Sequence, residues 1–297
     1  MKIGTATEDL KQLFEEEEYF ARLSEIGYEA LDYAIFPAYD TPDSVYSEGR
    51  DAWVKKFTKT ASIAKNCGLQ VGQTHATFST NYDHEKYLSE KCLDQFKREI
   101  ETTAILNCPY IVIHPINLAV NQKDYEENLK INIDAFSRLE PTLREFNVKL
   151  GVEDMFTWDR QRSRHTRTGC STPEDMVYLI DTLNSSLSSD RFVACLDTGH
   201  MLIHSITPDS AVRTLGERTK LLHLHDNYGI SDNHNIPGFG ITDWHALAKA
   251  LKDVKYDGTF SLEVSFGPAS RIDKDLVWDN LTYAYKVSKK IVNEITG

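Results

Sequence analysis

A single-domain (β/α)8 barrel of the α/β class, spanning residues 1–297, is the fold this sequence predicts. Eight apolar runs of strand length alternate with eight stretches whose apolar residues recur every three to four positions, the pattern of repeated βα units. Four of those runs end in a residue able to ligate a metal: KLGVE at Glu153, FVACLD at Asp197, LLH at His223 and TFSLE at Glu263. Parallel strands closed into one barrel bring such residues together at the carboxyl-terminal mouth, where barrels of this kind place their chemistry.

Lys2–Thr5 reads as the first strand and Glu8–Ile26 as its helix, with Gly27 punctuating the chain before a second strand, Tyr28–Ile35. Val45–Asn66 carries helical spacing as far as Gly68, and Leu69–His75 follows as the third strand. Lys91–Leu106 and Tyr110–His114 make the next helix and strand, and Tyr125–Phe146 and Lys149–Glu153 the pair after. Pro173–Leu183 is the best-marked helix: Ser171 or Thr172 suits its N-cap, Pro173 its first turn, and Glu174 and Asp175 complement its dipole. Phe192–Asp197, Pro208–Leu215, Leu221–Asp226, Trp244–Leu251, Thr259–Glu263 and Lys274–Ile295 complete the alternation. No tract rich in Pro, Gly or Ser divides the chain into two domains.

Five cysteines, Cys67, Cys92, Cys108, Cys170 and Cys195, include no CxxC pair and are odd in number, which argues for reduced thiols and a cytoplasmic location. The amino terminus enters an apolar strand directly and no long uncharged apolar run occurs later, so neither secretion nor membrane spanning is expected. A net charge of -12 disfavours a broad nucleic-acid-binding surface and suits a small neutral or cationic substrate.

Two carboxylates at strand ends, Glu153 and Glu263, can hold a divalent ion while their other oxygens exchange protons with a substrate. In CLDTGH the strand presents Asp197 and the following turn brings His200 near it; the same spacing also suits Asp197 as an N-cap. In HLHDN, alternation puts His223 and His225 on one face and Asp226 on the other, so either imidazole can be the ligand while the other meets substrate or packs in the core. His75 ends the third strand and His114 the fourth, and Asp232 and His234 precede the loop Pro237-Gly238-Phe239-Gly240. Three carboxylates and one imidazole suit one divalent metal ion, Mn2+ first, with Mg2+, Co2+, Fe2+ or Zn2+ as alternatives. Tyr33, Phe36, Phe78, Phe156 and Trp158 lie near strand ends, where they can wall a sugar or an aglycone. Trp158 shares its loop with Arg160, Arg162, Arg164, His165 and Arg167, whose cations can hold a phosphate, a carboxylate or a partner subunit, or pair with surface acids.

Taken together, VED at Glu153, CLDTGH at Asp197 and His200, HLHDN at His223, DNH with PGFG after it, and SLEVS at Glu263 resemble the xylose-isomerase-like TIM-barrel superfamily over nearly the whole chain. That superfamily includes sugar phosphate isomerases and epimerases, ketose 3-epimerases, inosose isomerases and dehydratases, and the endonuclease IV group. The resemblance implies a metal core of Glu153, Asp197, His223 and Glu263, with His223 preferred to His225 because it stands three residues before Asp226. It further implies that Glu153 and Glu263 face opposite sides of a substrate carbon, one removing a proton next to a carbonyl and the other returning it, through a metal-stabilised enediolate. His200, His225, His114, His75 and Trp158 are then expected around the substrate, and Asp232 and His234 at a second metal or in a loop. The expected function is that of a carbohydrate isomerase or epimerase, acting on a small carbohydrate or carbohydrate-derived substrate and assembling as a homo-oligomer or hetero-oligomer.

Tyr228-Gly229-Ile230 stands where the ketose 3-epimerases carry an arginine, and Asp159 only approximates the acid that follows their strand-five ligand. Elimination, as in inosose dehydratases or lyases that open oxidised C-glycosides, shares the first proton abstraction and is the alternative. A zinc nuclease of the endonuclease IV type is a further one: by that resemblance His75, His114, Glu153, Asp197, His200, His223, Asp232, His234 and Glu263 supply nearly all of a trinuclear site. The acidic charge, the lack of a basic, aromatic-rich groove, and Asp154 in place of an asparagine argue against it.

Overall fold

The computed structural model describes residues 1–35, 45–78, 84–116, 122–159, 163–266 and 270–297. Its strands, in chain order, are β1 (Ile3–Ala6), β2 (Ala30–Ala34), β3 (Gln70–His75), β4 (Tyr110–Ile113), β5 (Lys149–Glu153), β6 (Phe156–Asp159), β7 (Arg164–Arg167), β8 (Phe192–Asp197), β9 (Thr219–His223) and β10 (Phe260–Leu262). Eight of them form one parallel sheet in the order β10-β1-β2-β3-β4-β5-β8-β9. Leu224 N donates to Ser261 O (2.9 Å) and Glu263 N to Leu224 O (3.1 Å), so the end of β9 meets β10 and the sheet curls into a single-domain (β/α)8 barrel.

The helices are α1 (Glu8–Leu13), α2 (Glu16–Ile26), α3 (Arg50–Asn66), α4 (His84–Tyr87), α5 (Glu90–Ile105), α6 (Gln122–Phe146), α7 (Pro173–Ser186), α8 (Thr198–Ile203), α9 (Pro208–Leu215), α10 (Trp244–Asp253) and α11 (Leu276–Thr296). They ring the barrel: α2 touches α3, α3 touches α5, and contacts continue through α6, α7, α9, α10 and α11 back to α2.

Alternation along the strands sorts the side chains. Ile111, Ile113, Leu150, Val152, Leu196 and Leu222 join the core shared with the helices, whereas Val112, Cys195 and Leu221 form a separate cluster. Period-two geometry assigns that second cluster to the barrel interior. Gly151 belongs to the same face, and a Cβ there would come within 2.3 Å of Leu221 Cδ1. Glu153, Asp197 and His223 share the parity of Gly151, Cys195 and Leu221, so they stand on the interior face one layer above an apolar plug.

Three expectations need correction. The helix expected over Glu8–Ile26 is two, because Phe14 turns extended and packs its ring 4.6 Å from that of Trp278. Val45–Glu48 is a 3-10 turn set off from α3 by Gly49, whose φ of +95° is open to glycine. The stretch after Glu153, expected as a loop, holds a hairpin in which β6 and β7 pair antiparallel, Trp158 opposite His165 and Phe156 opposite Arg167. Its feet are pinned where Met155 N donates to Cys170 O (2.7 Å) and Ser171 Oγ to Met155 O (2.5 Å). Thr172, one of the two expected caps, begins α7 in a capping box with Asp175. Phe36, Arg160 and Arg162 lie outside the described residues.

Candidate functional site

The β8–β9 register pairs Asp197 with His223, and β5 pairs Glu153 with Cys195, so adjacent strands deliver their terminal ligands side by side. His223 Nδ1 lies 3.0 Å from Glu153 Oε1 and 3.4 Å from Glu263 Oε2. Glu153, Asp197, His223 and Glu263 each offer one atom, all within 4.8 Å of one another. Three carboxylates and an imidazole at that spacing fit a divalent cation.

Further imidazoles surround this group. His75 Nδ1 donates to Ala76 O (2.8 Å), His200 Nδ1 to Asp154 O (2.6 Å) and His234 Nδ1 to Glu263 O (2.9 Å). Each backbone carbonyl commits Nδ1 as a donor, so Nε2 is the nitrogen turned inward. His75 Nε2 thereby sits 3.4 Å and His114 Nε2 3.0 Å from Glu153 Oε2, while His200 Nε2 and His234 Nε2 lie 3.4 and 2.8 Å from Asp232 Oδ2. His75, His114 and Glu153 form a second group of converging donors, and His225, His234 and Glu263 a third.

β9 ends at His223, so His225 lies beyond the regular strand. His225 Nε2 is 3.0 Å from Asp197 Oδ1, and its ring stacks on His234 at 4.1 Å. A side chain at Gly199 would collide with it, the added Cβ falling 1.9 Å from His225 Cε1. Asp197 also accepts from His200 N (2.7 Å), which makes it the N-cap of α8 as well as a member of the donor group. Trp158 stands half-exposed on the hairpin with its ring 4.9 Å from that of His165 and is not among the residues lining the cavity above the donors. Tyr33 faces the helices, its hydroxyl donating to Glu16 Oε1 (2.5 Å).

Burial and mutual charge shape the site's electrostatics. Burial raises the Glu153 carboxyl, but His223 and His114 overcome this and hold it well below the usual range. Glu263 is pushed up to about 7 by burial, with His223 and His234 pulling the other way. Burial disfavours the charged His200, yet Asp197 and Asp232 raise it well above an ordinary histidine. The two glutamates that flank one imidazole thus sit in unlike environments.

Several residues escaped sequence reasoning. Asp32 on β2 lies 3.0 Å from His223 Nε2 and accepts from Gln73 Nε2 (2.8 Å); its signal was a carboxylate inside an otherwise apolar strand. Asp226 collects donors from Asn227 N, Gly238 N, Thr242 N, Thr242 Oγ1 and Trp244 Nε1 at 2.9 to 3.1 Å, organising the loop that carries Asp232 and His234. Glu8, Thr77, Tyr87, Phe96, Ile116 and Met155 line the cavity, and nothing local to their positions marks them.

The fold has known counterparts. D-psicose 3-epimerase of Enterocloster bolteae is 22% identical over 272 residues, covering 89% of this chain and 81% of that protein. D-Psicose 3-epimerase with D-tagatose, from Clostridium cellulolyticum H10, superposes with a TM-score of 0.75 at 16% identity, covering 98% of this chain and 99% of that one. The IOLI protein with a bound zinc atom matches at a TM-score of 0.73 and 17% identity, over 100% and 98%. A family description, xylose isomerase-like TIM barrel, matches residues 20–278, and the chain belongs to that family.

Proposed function

We propose that this chain is a divalent-metal-dependent carbohydrate isomerase or epimerase that moves a proton at a carbon next to a carbonyl. The observation that carries the reading is the pair Glu153 and Glu263, both within 3.4 Å of the one imidazole of His223, at the end of strands that converge on a cavity. The sugar epimerases among its relatives support the substrate class. A divalent cation held by Glu153, Asp197, His223 and Glu263, Mn2+ first among the candidates, supplies Lewis-acid polarisation of the carbonyl when bound. One glutamate takes the proton and the other returns it to the opposite face, while His200, which lines the cavity, holds a substrate oxygen in place and the buried His225 supports Asp197 from behind. Glu153→Gln or Glu263→Gln should each cut turnover and deuterium exchange at the substrate carbon by about 10^3-fold or more, with the circular dichroism of the barrel unchanged. Exchange that persists in both variants rejects the pair. Elimination begins with the same abstraction and differs in releasing a leaving group, which product analysis resolves.

The imidazoles converging on Glu153 and on Asp232 favour a second reading, a polynuclear zinc nuclease. Elemental mass spectrometry on protein purified without chelator or added metal separates the two: about one equivalent of metal supports the proton-transfer site, and nearly three of zinc the nuclease.

A further inference from the structure

The described lining of the cavity over the donors includes four carboxylates, Glu8, Glu153, Asp232 and Glu263. Three of them face imidazoles: Glu153 lies 3.0 Å from His114 Nε2, Asp232 2.8 Å from His234 Nε2 and Glu263 3.4 Å from His223 Nδ1. Glu8 differs, because among the described residues its carboxylate has neither a hydrogen-bond donor nor a cation paired with it. We propose that Glu8 is a specificity-determining residue of this site, whose carboxylate accepts hydrogen bonds from two free neighbouring hydroxyls of the substrate and so selects a polyhydroxylated ketose over its deoxy analogues. The proposal rests on the carbohydrate reading above.

The chain holds Glu8 from both sides and leaves its side chain to a ligand. Thr7 N donates to Asp32 O (3.0 Å) and Thr7 Oγ1 accepts from Ala34 N (3.0 Å), which fixes the end of β1 against β2. Asp9 Oδ2 accepts from Phe266 N (2.8 Å) and Ser265 Oγ (3.2 Å), which ties the other flank to the segment after Glu263. The cation of the same segment is turned elsewhere: Lys11 Nζ donates to Ala34 O and lies 4.6 Å over the Tyr33 ring. Burial raises the Glu8 carboxyl while His75 and His234 draw it down, so it stands in the field of imidazoles from two sides of the mouth. Neither imidazole pairs with it, since their inward Nε2 atoms lie 3.4 Å from Glu153 and 2.8 Å from Asp232. A carboxylate is an acceptor with two oxygens and no donor, which matches the paired hydroxyls of a sugar. A sugar hydroxyl buried without an acceptor costs about 1–3 kcal/mol, and the wall of Phe78, Ile116 and Phe156 offers no side-chain acceptor. Glu8 is the lining carboxylate whose oxygens are not already shared with an imidazole, so the hydroxyls that reach it are the ones the site can tell from a methylene.

Calorimetric titration of the Mn2+-loaded protein with D-fructose, D-psicose and D-tagatose finds the ketose it binds best, and the monodeoxy derivatives of that ketose test the residue. Two derivatives lacking neighbouring hydroxyls should each bind the wild type about tenfold more weakly than the parent sugar. Glu8→Ala should bind the parent sugar and those two derivatives equally, at the weaker affinity, and Glu8→Gln, which keeps one acceptor oxygen, should fall between. In deuterium exchange the loss should appear in KM far more than in kcat. Glu8 belongs to none of the converging donor groups, so the rise in melting temperature on adding Mn2+ should match the parent's in both variants. The same pattern of affinities across the deoxy series in wild type and Glu8→Ala, or loss of the Mn2+ response in Glu8→Ala, overturns the proposal. If a ketose binds and exchanges with Glu8 making no difference, the carbohydrate reading stands without this role; if no ketose binds or exchanges, the carbohydrate reading itself is rejected and the role with it.

Discussion

Glu99, wholly buried on α5, accepts from Thr77 N at 3.2 and 3.3 Å and from Gln95 Nε2 at 2.8 Å. Burial nevertheless pushes its carboxyl from 4.5 up to about 7. The folded state therefore binds a proton that the unfolded chain has released, and the associated stability, full below pH 4.5, is lost as pH rises towards 7. Glu99→Gln removes the titration, so the variant should gain up to about 3 kcal/mol relative to the parent between pH 5 and pH 8. Denaturant midpoints at the two pH values check it, and parallel curves for parent and variant would refute it. Glu99 also shows which residues sequence reasoning reaches. Glu153, Asp197, His223 and Glu263 were legible because each ends an apolar run, and strand parity then fixes where it points. Glu99 lies in a helix among other charged residues, and its burial follows from which neighbour covers that helix face. Asp32 lies between these cases, visible as an anomaly in β2 but paired with His223 through barrel closure alone.

Elements legible by period were those bounded by chemistry of their own. Thr172, Pro173 and Asp175 locate the start of α7, and Pro208 that of α9. The β6–β7 hairpin was missed because its four-residue strands sit among arginines, a composition that reads as loop until the pinning of Met155 and Ser171 is seen. The segment after β9 was legible as a glycine-bearing loop, but not as one built around a single carboxylate. Gly240 belongs to that construction, since a Cβ there would lie 2.3 Å from Asp226 Oδ1. His234, at φ +48°, is held in the left-handed region within it. Asp226→Asn replaces one acceptor oxygen with an NH2 group and orphans at least two of the five donors, at a cost of about 2–4 kcal/mol. Hydrogen exchange across residues 227–243 should quicken well before the barrel strands change, and uniform protection in the variant would contradict this hinge of the loop on Asp226.

At the scale of the molecule, four donors at the ends of four separate strands would make cation binding and folding one equilibrium. A cation at a hundredfold excess over its dissociation constant adds about 2.7 kcal/mol to the folded state. Chelation of the cation-loaded protein should therefore lower the melting temperature by roughly 4 °C, with recovery on adding Mn2+, and Glu153→Gln should blunt the shift. A melting curve indifferent to chelator and metal would count against the centre. Among the described residues no helix is long and apolar enough to cross a membrane. The closing seam carries one more implication. Ile3 pairs with Phe260 and Leu224 bonds to Glu263, so the first strand of the chain waits for the last, and one donor arrives only with it. During synthesis or refolding the donor set is incomplete until that long-range contact forms, so uptake of a cation that needs all four donors would report barrel closure.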